Sequence, residues 1–481
     1  MEGKAGSVQY RRRHTRYVML IAAILAVIVV LCNLIAGVLE NKFGLMGDFS
    51  RSSVFSLSDE GKAFIGALSD DIVIFGAYEN GSRDNTIIGL LQAIDRASEH
   101  ISFELVDPVD SVAALSPFML SGQVIASGTV VVSNAEKTRF KLLDYYDLYL
   151  IGESGISGVT AEQSVLSAIH YVRTGVAGKL LLVTGLGERS PSDIADFIVG
   201  AMTRNFTVSQ LELSADALAQ VSNSTDVLVF AGPERDLTDE QYNLVRAFIA
   251  DGGKAVFYMD NAKSVENGAG ISLTKDSLTN FRRLFEQANL KLNNDLVLVP
   301  ETNATMGSIT AFSPTLVKSV LDVGATDNNL YVGECGSIEL VDNKAGNAAY
   351  VAVSPAGCYA KEITENLSTL EQEAGDRTGL FAVGALARLG DGAIYLAGSS
   401  SFITVEGMQH SDNRTLALKL LSALIGDSDN PVIQPTLTVY GTLAISTAGE
   451  QVALSILVLG VLPLLVLISG FVVTRRRRRA R

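Results

Sequence analysis

Residues 225–260 read TDVLVFAGPERDLTDEQYNLVRAFIADGGKAVFYMD, and this stretch decides the fold class. Two almost wholly apolar runs, 227–230 and 255–259, flank a segment whose apolar residues recur at the spacing of an amphipathic helix. Gly252 and Gly253 suit the end of that helix, because glycine adopts a left-handed backbone without steric cost. Apolar strands without polar alternation are typical of a parallel sheet that helices cover on both faces. We therefore predict an α/β fold.

The same pattern extends on both sides of this stretch. A β-rich insertion is predicted at 300–378, because its alternating patches interrupt the strand–helix order. The complete strand–helix pattern predicts a doubly wound parallel sheet. Its elements are predicted as helix 160–173, strand 179–184, helix 191–205, strand 206–213, strand 225–232, helix 237–253, strand 254–260, helix 276–288, strand 295–299, strands 380–389 and 392–402, and helix 413–426.

An earlier segment predicts a separate, smaller α/β domain. Its order is a buried strand at 72–78, an amphipathic helix at 85–98, an alternating strand at 101–107 and a hairpin with a closing segment at 129–150. This order is thioredoxin-like. No CxxC motif follows the first strand, where the loop instead reads ENGS at 79–82.

The two ends of the chain predict transmembrane helices. Residues 17–39 and 452–474 are runs of 23 residues without Asp, Glu, Lys or Arg, and a helix of about 20 apolar residues spans a bilayer. Arginines precede the first run and follow the second, so both termini are predicted to be cytoplasmic. A cleavable signal peptide is the alternative at the N-terminus, but its apolar stretch is normally only about 7–15 residues long.

These assignments give a two-pass protein of the plasma (inner) membrane with a large extracytoplasmic part. Gly460 and Gly470, together with Pro463, are candidate helix-packing positions in the second span, because small residues let membrane helices approach closely. The predicted divisions are a cytoplasmic tail 1–16, span 17–39, a juxtamembrane segment 40–57, the thioredoxin-like domain 58–155, the second domain in two parts 156–299 and 379–428 around the insertion 300–378, a linker 429–451, span 452–474 and an Arg-rich tail 475–481.

Composition excludes several function classes. The net charge of −14 disfavours nucleic-acid binding, which needs a basic face. Three cysteines in 481 residues are too few for a disulfide scaffold. No ATP-binding G-x-x-x-x-G-K-[ST] motif occurs, so an energy source would have to be another chain.

Ligand-binding candidates follow three strands of the predicted sheet. Carboxyl ends of parallel strands meet at one edge, where ligands bind in such folds. The turn GLGERSP at 185–191 could hold an anion on its N–H groups, although it has only two of the three glycines of a dinucleotide fingerprint. The alternative is a tight turn in which Glu188 favours the dipole of the next helix. The candidate residues are Thr184, Gly185, Gly187, Glu188, Gly232, Pro233 and Asp260.

Catalytic, metal and cofactor chemistry is not predicted. The four histidines show no metal-ligand spacing, and no nucleophile elbow follows a predicted central strand. Cys335 and Cys358 lie 23 positions apart in the insertion. Two interpretations stay open for them: a disulfide in an oxidising compartment, or two buried apolar thiols.

The ordered motifs resemble the membrane-anchored auxiliary components of ABC transporters typified by the GldG gliding-motility protein. FELVDP at 103–108, ISGVTAEQSVLSAIHYVRTG at 156–175, LLLVTGLGE at 180–188, the block 228–260 and the terminal anchor at 463–479 carry the resemblance. Leu186 stands where the family usually has His. The resemblance implies a degenerate, glutamine-amidotransferase-like sheet without a catalytic Cys, and ABC permease and ATPase subunits as partners.

Three functions therefore compete. The resemblance favours a non-catalytic transport accessory that docks on a permease and presents or gates an extracytoplasmic ligand. A surface glycan- or protein-binding module acting without a transporter is the second, and a hydrolase or amidotransferase is the third. The transported substrate, the direction of transport and the oligomeric state do not follow from the sequence.

Overall fold

A computed structural model describes residues 57–437, except 120–123, 153–154, 261–262, 268–269, 275–277, 301–303, 306, 318–329, 343–345 and 364–368. The two predicted membrane spans, with Gly460, Pro463 and Gly470, lie outside the described residues. Within the described part of the chain, no helix has both the length and the apolar character needed to cross a membrane.

A four-stranded mixed sheet forms the first part of the described chain. Its strands lie in the order β2 (Ile101–Val106), β1 (Ile72–Ala77), β3 (Thr129–Asn134) and β4 (Phe140–Leu143). β1 and β2 are parallel, and β3 is antiparallel to both of its neighbours, β1 and β4. Asp84 caps the helix after β1, because its carboxylate accepts hydrogen bonds from the N–H groups of Thr86 and Ile87. The elements, now numbered in chain order, are α1 (Asp59–Gly66), β1 (Ile72–Ala77), α2 (Asn85–Ala97), β2 (Ile101–Val106), α3 (Val112–Leu115), β3 (Thr129–Asn134), β4 (Phe140–Leu143), α4 (Tyr145–Leu148), β5 (Tyr149–Gly152), β6 (Gly155–Val159) and α5 (Ala161–Thr174).

Helix α5 packs on this first sheet. Its apolar face, including Leu166 and Ile169, shares one buried cluster with Ile74 of β1 and Val132 of β3. The clustering puts α5 in the same core as the four strands.

The second sheet begins with parallel strands that alternate with helices. Its next elements are β7 (Gly178–Thr184), α6 (Ala195–Met202), β8 (Phe206–Glu212), α7 (Ala215–Leu218), β9 (Asp226–Ala231), α8 (Asp239–Ala250) and β10 (Lys254–Tyr258). Strand β7 lies between β8 and β9, and β10 follows β9, all in parallel register. These strands confirm the predicted α/β class.

The remaining elements extend and cover this sheet. They are β11 (Lys263–Asn267), β12 (Gly270–Thr274), α9 (Thr279–Gln287), β13 (Leu290–Leu292), β14 (Asp295–Leu298), β15 (Ala311–Phe312), β16 (Thr315–Leu316), β17 (Val332–Gly333), β18 (Ile338–Leu340), β19 (Ala348–Val353), β20 (Cys358–Glu362), β21 (Arg377–Gly379), β22 (Ala382–Leu389), β23 (Gly392–Ala397), α10 (Val405–Met408), α11 (Ser411–Leu424) and β24 (Thr436–Leu437).

The second sheet is mixed rather than wholly parallel. Strand β23 adds to β10 in parallel, and β22 then pairs with β23 in the antiparallel direction. Only Gly390 and Asp391 separate the two strands, and such a short connection can form a hairpin but not a parallel crossover. The predicted parallel arrangement therefore holds for β7 to β10 and β23 but not for β22, which is antiparallel.

The predicted insertion contributes strands to the main sheet. β18 and β19 both pair with β22, and β13 pairs with β18. β14, β20 and β21 form a separate three-stranded sheet. The described residues of this segment are rich in strands, and β18 and β19 continue the large sheet instead of standing apart.

Apolar clusters cover the two faces of the large sheet. One face packs on α6 and α11 through residues such as Phe197 and Leu418, and the other packs on α8 and α9 through Phe248 and Phe281. The helix predicted at 191–205 is shorter, because residues 191–194 form turns before Ala195.

Cys335 and Cys358 are free, buried thiols. The N–H of Val297 in β14 donates to the carbonyl of Cys335 at 2.9 Å, whereas Cys358 begins β20 on the other side of β14. Two strand spacings separate them by roughly 10 Å, beyond the Cα separation of about 4.4–6.8 Å that a disulfide spans. The structure therefore favours the interpretation of two buried thiols.

We expect the chain to contain no disulfide. Thiol titration of the unfolded chain under non-reducing conditions should detect all three cysteines, and prior reduction should not raise the count. A count of one before reduction would show that Cys335 and Cys358 are paired.

Candidate functional site

The carboxyl ends of β7, β9, β10 and β23 lie side by side at one edge of the second sheet. Their order, counting β8 as the second strand, is 2-1-3-4-5, and the connections change direction between β7 and β9. Folds of this topology bind ligands at such a switch point, since the loops there diverge and leave a crevice. The loops following the four strands therefore form the candidate site.

The turn after β7 uses its own N–H groups. Gly185 and Gly187 both have positive φ values, 95° and 74°, which explains the two glycines. The carboxylate of Glu188 accepts hydrogen bonds from the N–H groups of Gly185 and Leu186 at 3.1 and 2.8 Å. A carboxylate already fills the place where an external anion would bind, so the geometry favours the tight-turn interpretation.

Leu186 points into the core. Its side chain is buried in the apolar cluster that covers one face of the sheet. Its carbonyl accepts hydrogen bonds from the N–H groups of Glu234 and Arg235 at 2.9 and 2.8 Å. Leu186 therefore joins the loops after β7 and β9. A histidine side chain at this position would point into the core, away from the cleft.

Arg189, Asp260 and Ser400 form a compact polar cluster across three loops. The guanidinium of Arg189 donates from Nη2 to Oδ2 of Asp260 at 2.8 Å and from Nε to Oγ of Ser400 at 2.9 Å. Asp260 also accepts from the N–H and Oγ of Ser400 at 2.7 and 2.8 Å. The carboxylate thus holds together the loops that follow β7, β10 and β23.

Gly232 allows this cluster to lie directly on the backbone. Its φ is 60°, and a Cβ added there would lie 2.7 Å from Oδ2 of Asp260 and 3.2 Å from Oγ of Ser400. A side chain at this position would push the carboxylate away. The predicted residues Gly232 and Asp260 are therefore brought together, with Pro233 buried beside them.

A cleft of about 590 Å³ opens beside the cluster. Arg189 and Asp260 line one side, and the insertion supplies the other side. Four carboxylates and one guanidinium line it, a formal sum of −3, so the cleft favours neutral polar or cationic groups over anions. The charged and hydroxyl lining residues are Arg189, Ser192, Asp193, Asp260, Thr305, Ser308, Thr310, Tyr331, Glu334, Ser399, Ser401, Thr404 and Glu406.

Tyr331 forms part of the wall of this cleft. Its ring stacks on His410 with the centroids 4.9 Å apart and the planes 7° apart. Burial, together with the negative charges of Glu406 and Glu334, raises the pKa of its hydroxyl. The hydroxyl therefore stays protonated at neutral pH.

The serines of the GSSSF segment stabilise the cleft wall. Ser399 Oγ donates to the carbonyl of Gly333 at 2.6 Å, and Ser401 Oγ accepts from the N–H of Gly333 at 2.9 Å. Ser400 contacts Asp260, as described above. These hydroxyls connect β17 of the insertion to the end of β23.

Two of the other predicted residues line a smaller cavity. Thr184 and Glu188 line a space of about 80 Å³ together with Arg189. Of the predicted residues, Asp260 lines the larger cleft and Thr184 and Glu188 line the smaller space, with Arg189 lining both. Neither lining includes the other four predicted residues, Gly185, Gly187, Gly232 and Pro233. Among the described residues, no group of three or more His, Cys, Asp or Glu side chains could hold a metal ion.

Arg189 is the functional candidate that sequence reasoning missed. Its position one residue beyond Glu188, in the loop at the switch point, was the available signal. No sequence signal pointed to Tyr331 and Glu334. The alternating pattern of the insertion does not predict which strands pair there, so it did not place these residues at the strand ends.

Comparison with known proteins gives one family match. Residues 178–310 match the family ABC_transp_aux, an ABC-type uncharacterized transport system. This match is consistent with the resemblance to auxiliary components of ABC transporters, and its span contains Arg189, Gly232 and Asp260. No curated protein matches the chain.

Solved structures share only a distant likeness in fold. The mmIFT52 N-terminal domain is 11% identical with a TM-score of 0.37, covering 51% of this chain and 97% of its own. The β-galactosidase from Bacillus circulans sp. alkalophilus is 11% identical with a TM-score of 0.30, over 56% of this chain and 34% of its own. The cytoplasmic protein STM3548 from Salmonella typhimurium is 10% identical with a TM-score of 0.28, over 51% of this chain and 98% of its own.

Proposed function

We propose that the chain is a non-catalytic, membrane-anchored auxiliary component of an ABC transport system, and that its extracytoplasmic part binds a ligand or partner and presents it to the permease. The observation that carries the proposal is the family match over residues 178–310. That segment begins at β7 and contains two members of the cluster, Arg189 and Asp260, at the switch point of the sheet. Residues 17–39 and 452–474 are the proposed anchors.

Strand order supports the finer fold assignments within this proposal. The order β2-β1-β3-β4, with β3 antiparallel to the strands on either side, is compatible with a thioredoxin-like first domain. The order 2-1-3-4-5 of the parallel strands is compatible with a degenerate amidotransferase-like second domain. In this proposal both domains serve as binding scaffolds.

Cleft chemistry supports a restricted class of ligand. The lining carries a formal charge of −3 and many hydroxyl groups, so we propose that it takes a neutral polar or cationic group. Asp260 would orient the cleft loops, since it already contacts Arg189 and Ser400.

A surface glycan- or protein-binding module is the second candidate function. The hydroxyl-rich cleft wall, with Thr305, Ser308 and Thr310, is the observation that favours it. Such a module would need no transporter subunits. A hydrolase is the third, and activity lost in Asp260→Asn or in a Ser399→Ala, Ser400→Ala, Ser401→Ala variant would support it.

Affinity capture distinguishes these functions. The full chain, tagged at its C-terminus and extracted in mild detergent, should recover an ABC permease and an ATPase by mass spectrometry. The test variant is Gly460→Leu with Gly470→Leu, which adds apolar area and so preserves membrane insertion, and the unaltered chain is its control. If small residues of the second span hold the permease, recovery should fall about tenfold, the effect of roughly 1.4 kcal/mol of lost packing.

Two outcomes would contradict parts of this proposal. Recovery of glycan or a surface protein without any ABC subunit would favour the second candidate. Undiminished recovery of the permease with the double variant would show that docking uses the extracytoplasmic part or the first span.

A further inference from the structure

Six of the ten exposed large apolar side chains of the described residues lie in the first part of the chain, between residues 57 and 160. Each of these residues has a relative solvent exposure between 43% and 81%. We call this set the exit face, because it lies near the points where the chain leaves toward both predicted spans. It comprises Val109, Val112, Val124, Tyr145, Tyr146 and Ile151.

Strand register places these residues at one edge of the first sheet. Ala77, the last residue of β1, pairs with Val106 at the end of β2 and with Thr129 at the start of β3. Leu143, which ends β4, pairs with Val130. The segments that follow β2, precede β3 and follow β4 therefore leave the sheet at the same edge. They carry five of the six residues, and Ile151 lies just beyond α4 in β5, which pairs with β6.

Helix α4, which carries the two tyrosines, is fixed to the first turn of α5. The carbonyl of Asp147 accepts hydrogen bonds from Oγ1 of Thr160 at 2.9 Å and from Oγ of Ser164 at 2.6 Å. The N–H of Thr160 donates to the carbonyl of Leu148 at 2.9 Å. The tyrosines are thus held beside the N-terminus of α5.

Both ends of the described chain meet this same turn. The carboxylate of Glu162 accepts from the N–H and Oγ of Ser58 at 2.9 and 2.7 Å. Gln163 accepts from the N–H of Ile433 at 2.6 Å and donates to the carbonyl of Pro431 at 2.9 Å. Two adjacent side chains therefore fix the points at which the chain leaves toward both predicted spans.

The length of chain beyond these points limits how far the face can lie from a bilayer. Residues 40–56 and 438–451 give connections of 17 and 14 residues to the predicted spans. Even fully extended, chains of 17 and 14 residues would reach at most about 60 and 50 Å. Since both connections start at one turn, the anchors of the proposed function would keep the edge beside that turn closer to the membrane than the rest of the first sheet.

We propose that the exit face contacts the lipid headgroup interface of the membrane in which the chain is anchored. This inference rests on the anchors in the proposed function but does not depend on the transporter. Tyrosine suits this position, because its ring is apolar and its hydroxyl reaches water, and Tyr is enriched at membrane interfaces. The two spans would keep lipid below this face whether or not a permease is bound.

The exposed charges at the exit face favour one class of lipid headgroup. Glu79, Asp110 and Asp144 are exposed at this edge, against the exposed cation Arg83. A net negative edge is repelled by anionic headgroups, so zwitterionic lipid is the favoured contact.

A single tryptophan can report the contact, because the chain contains none. The full chain carrying Tyr146→Trp is reconstituted in phosphatidylcholine vesicles that contain lipid brominated near the headgroup. The control is Leu380→Trp, since Leu380 is similarly exposed, at 66% against 73% for Tyr146, but follows β21 beside the second sheet. We expect blue-shifted emission and about twofold quenching of Tyr146→Trp only.

Vesicles containing about one-third phosphatidylglycerol test whether anionic headgroups repel the exit face. Quenching should weaken at low salt and recover near 0.15 M salt, where the screening length is about 8 Å. No quenching of Tyr146→Trp in phosphatidylcholine, or equal quenching of both variants, would overturn the inference. A blue shift that appears only when a protein partner is added would also overturn it, because the face would then be a protein-docking surface.

Flotation and affinity capture separate this inference from the proposed function. A chain that floats with vesicles and recovers the permease but shows no quenching refutes the lipid contact alone. Quenching without any recovered ABC subunit supports the contact and contradicts the transport assignment. A chain that does not float contradicts the anchors and the contact together.

Discussion

Replacing Arg204 by methionine is expected to lower the free energy of unfolding by about 3–5 kcal/mol. The side chain is only 1% exposed. Its guanidinium donates to Oγ of Ser422 at 2.6 Å, to the carbonyl of Asn430 at 2.8 Å and to the carbonyl of Pro431. Methionine fills a similar volume but removes the donor from Oγ of Ser422 and from the carbonyl of Asn430, whereas the carbonyl of Pro431 keeps the donor that Gln163 supplies.

Loss of the positive charge of Arg204 adds to the expected loss of stability. Burial lowers the pKa of Arg204 to about 9, while the carboxylate of Asp427 opposes the shift. The guanidinium therefore stays charged at neutral pH. Asp427 in turn contacts Nε2 of His170 at 2.5 Å, with both side chains almost fully buried. Loss of the cation would leave this carboxylate less compensated.

The network joins the two sheets. His170 and Gln163 belong to α5 on the first sheet, whereas Arg204 follows α6 and Ser422 lies in α11 on the second. Ser167 Oγ of α5 donates to Oδ1 of Asn430 at 3.0 Å. We therefore expect Arg204→Met to loosen the packing of α5 against the second sheet as well as to reduce stability.

Denaturant unfolding of the full chain in mild detergent checks this expectation. Arg246→Met is the matched control, because Arg246 is exposed on α8 and surface changes usually stay within about 0.5 kcal/mol. Arg204→Lys should have an intermediate effect, since an ammonium cannot reach all three acceptors in the same planar arrangement. Equal unfolding midpoints for Arg204→Met and Arg246→Met would contradict the role given to this network.

Strands of the second sheet could be predicted because their signal is local. Runs such as LLLV in β7 and VLVF in β9 are continuous and apolar, and the structure places strands there with boundaries shifted by one or two residues. The carboxyl edge as the candidate site follows from the same strands, since parallel strands end together. Gly232 and Asp260 could be selected for this reason alone.

The polar partners of these residues could not be predicted in the same way. Ser400 lies 140 positions from Asp260 and Arg204 lies 227 positions from Pro431, so their contacts depend on how several elements pack. The insertion is a second case. Its strands β18 and β19 join the large sheet through short or irregular pairings with β22, for which alternating apolar residues specify neither partner nor register.

Replacing Asp260 by alanine is expected to lower the free energy of unfolding by about 2–4 kcal/mol and to disorganise the cleft. The N–H of Ser400 is buried and would lose its acceptor, since Ser400 has no exposed surface. Arg189 would lose the carboxylate that holds it, and the loops after β7, β10 and β23 would lose their common contact.

Asp260→Asn separates charge from hydrogen bonding. Its remaining carbonyl oxygen can still accept from the N–H of Ser400, whereas its amide cannot replace the ion pair with Arg189, so we expect about half the loss of stability seen with alanine. Glu240→Ala is the control, because Glu240 is exposed in the first turn of α8. If the cleft binds the ligand or partner, Asp260→Asn should reduce its capture more than its effect on stability explains. Asp260 joins the three cleft loops through its contacts with Arg189 and Ser400, so a ligand or partner bound in this cleft should respond to both Asp260 variants. Full capture with both variants would therefore place the binding function elsewhere on the chain.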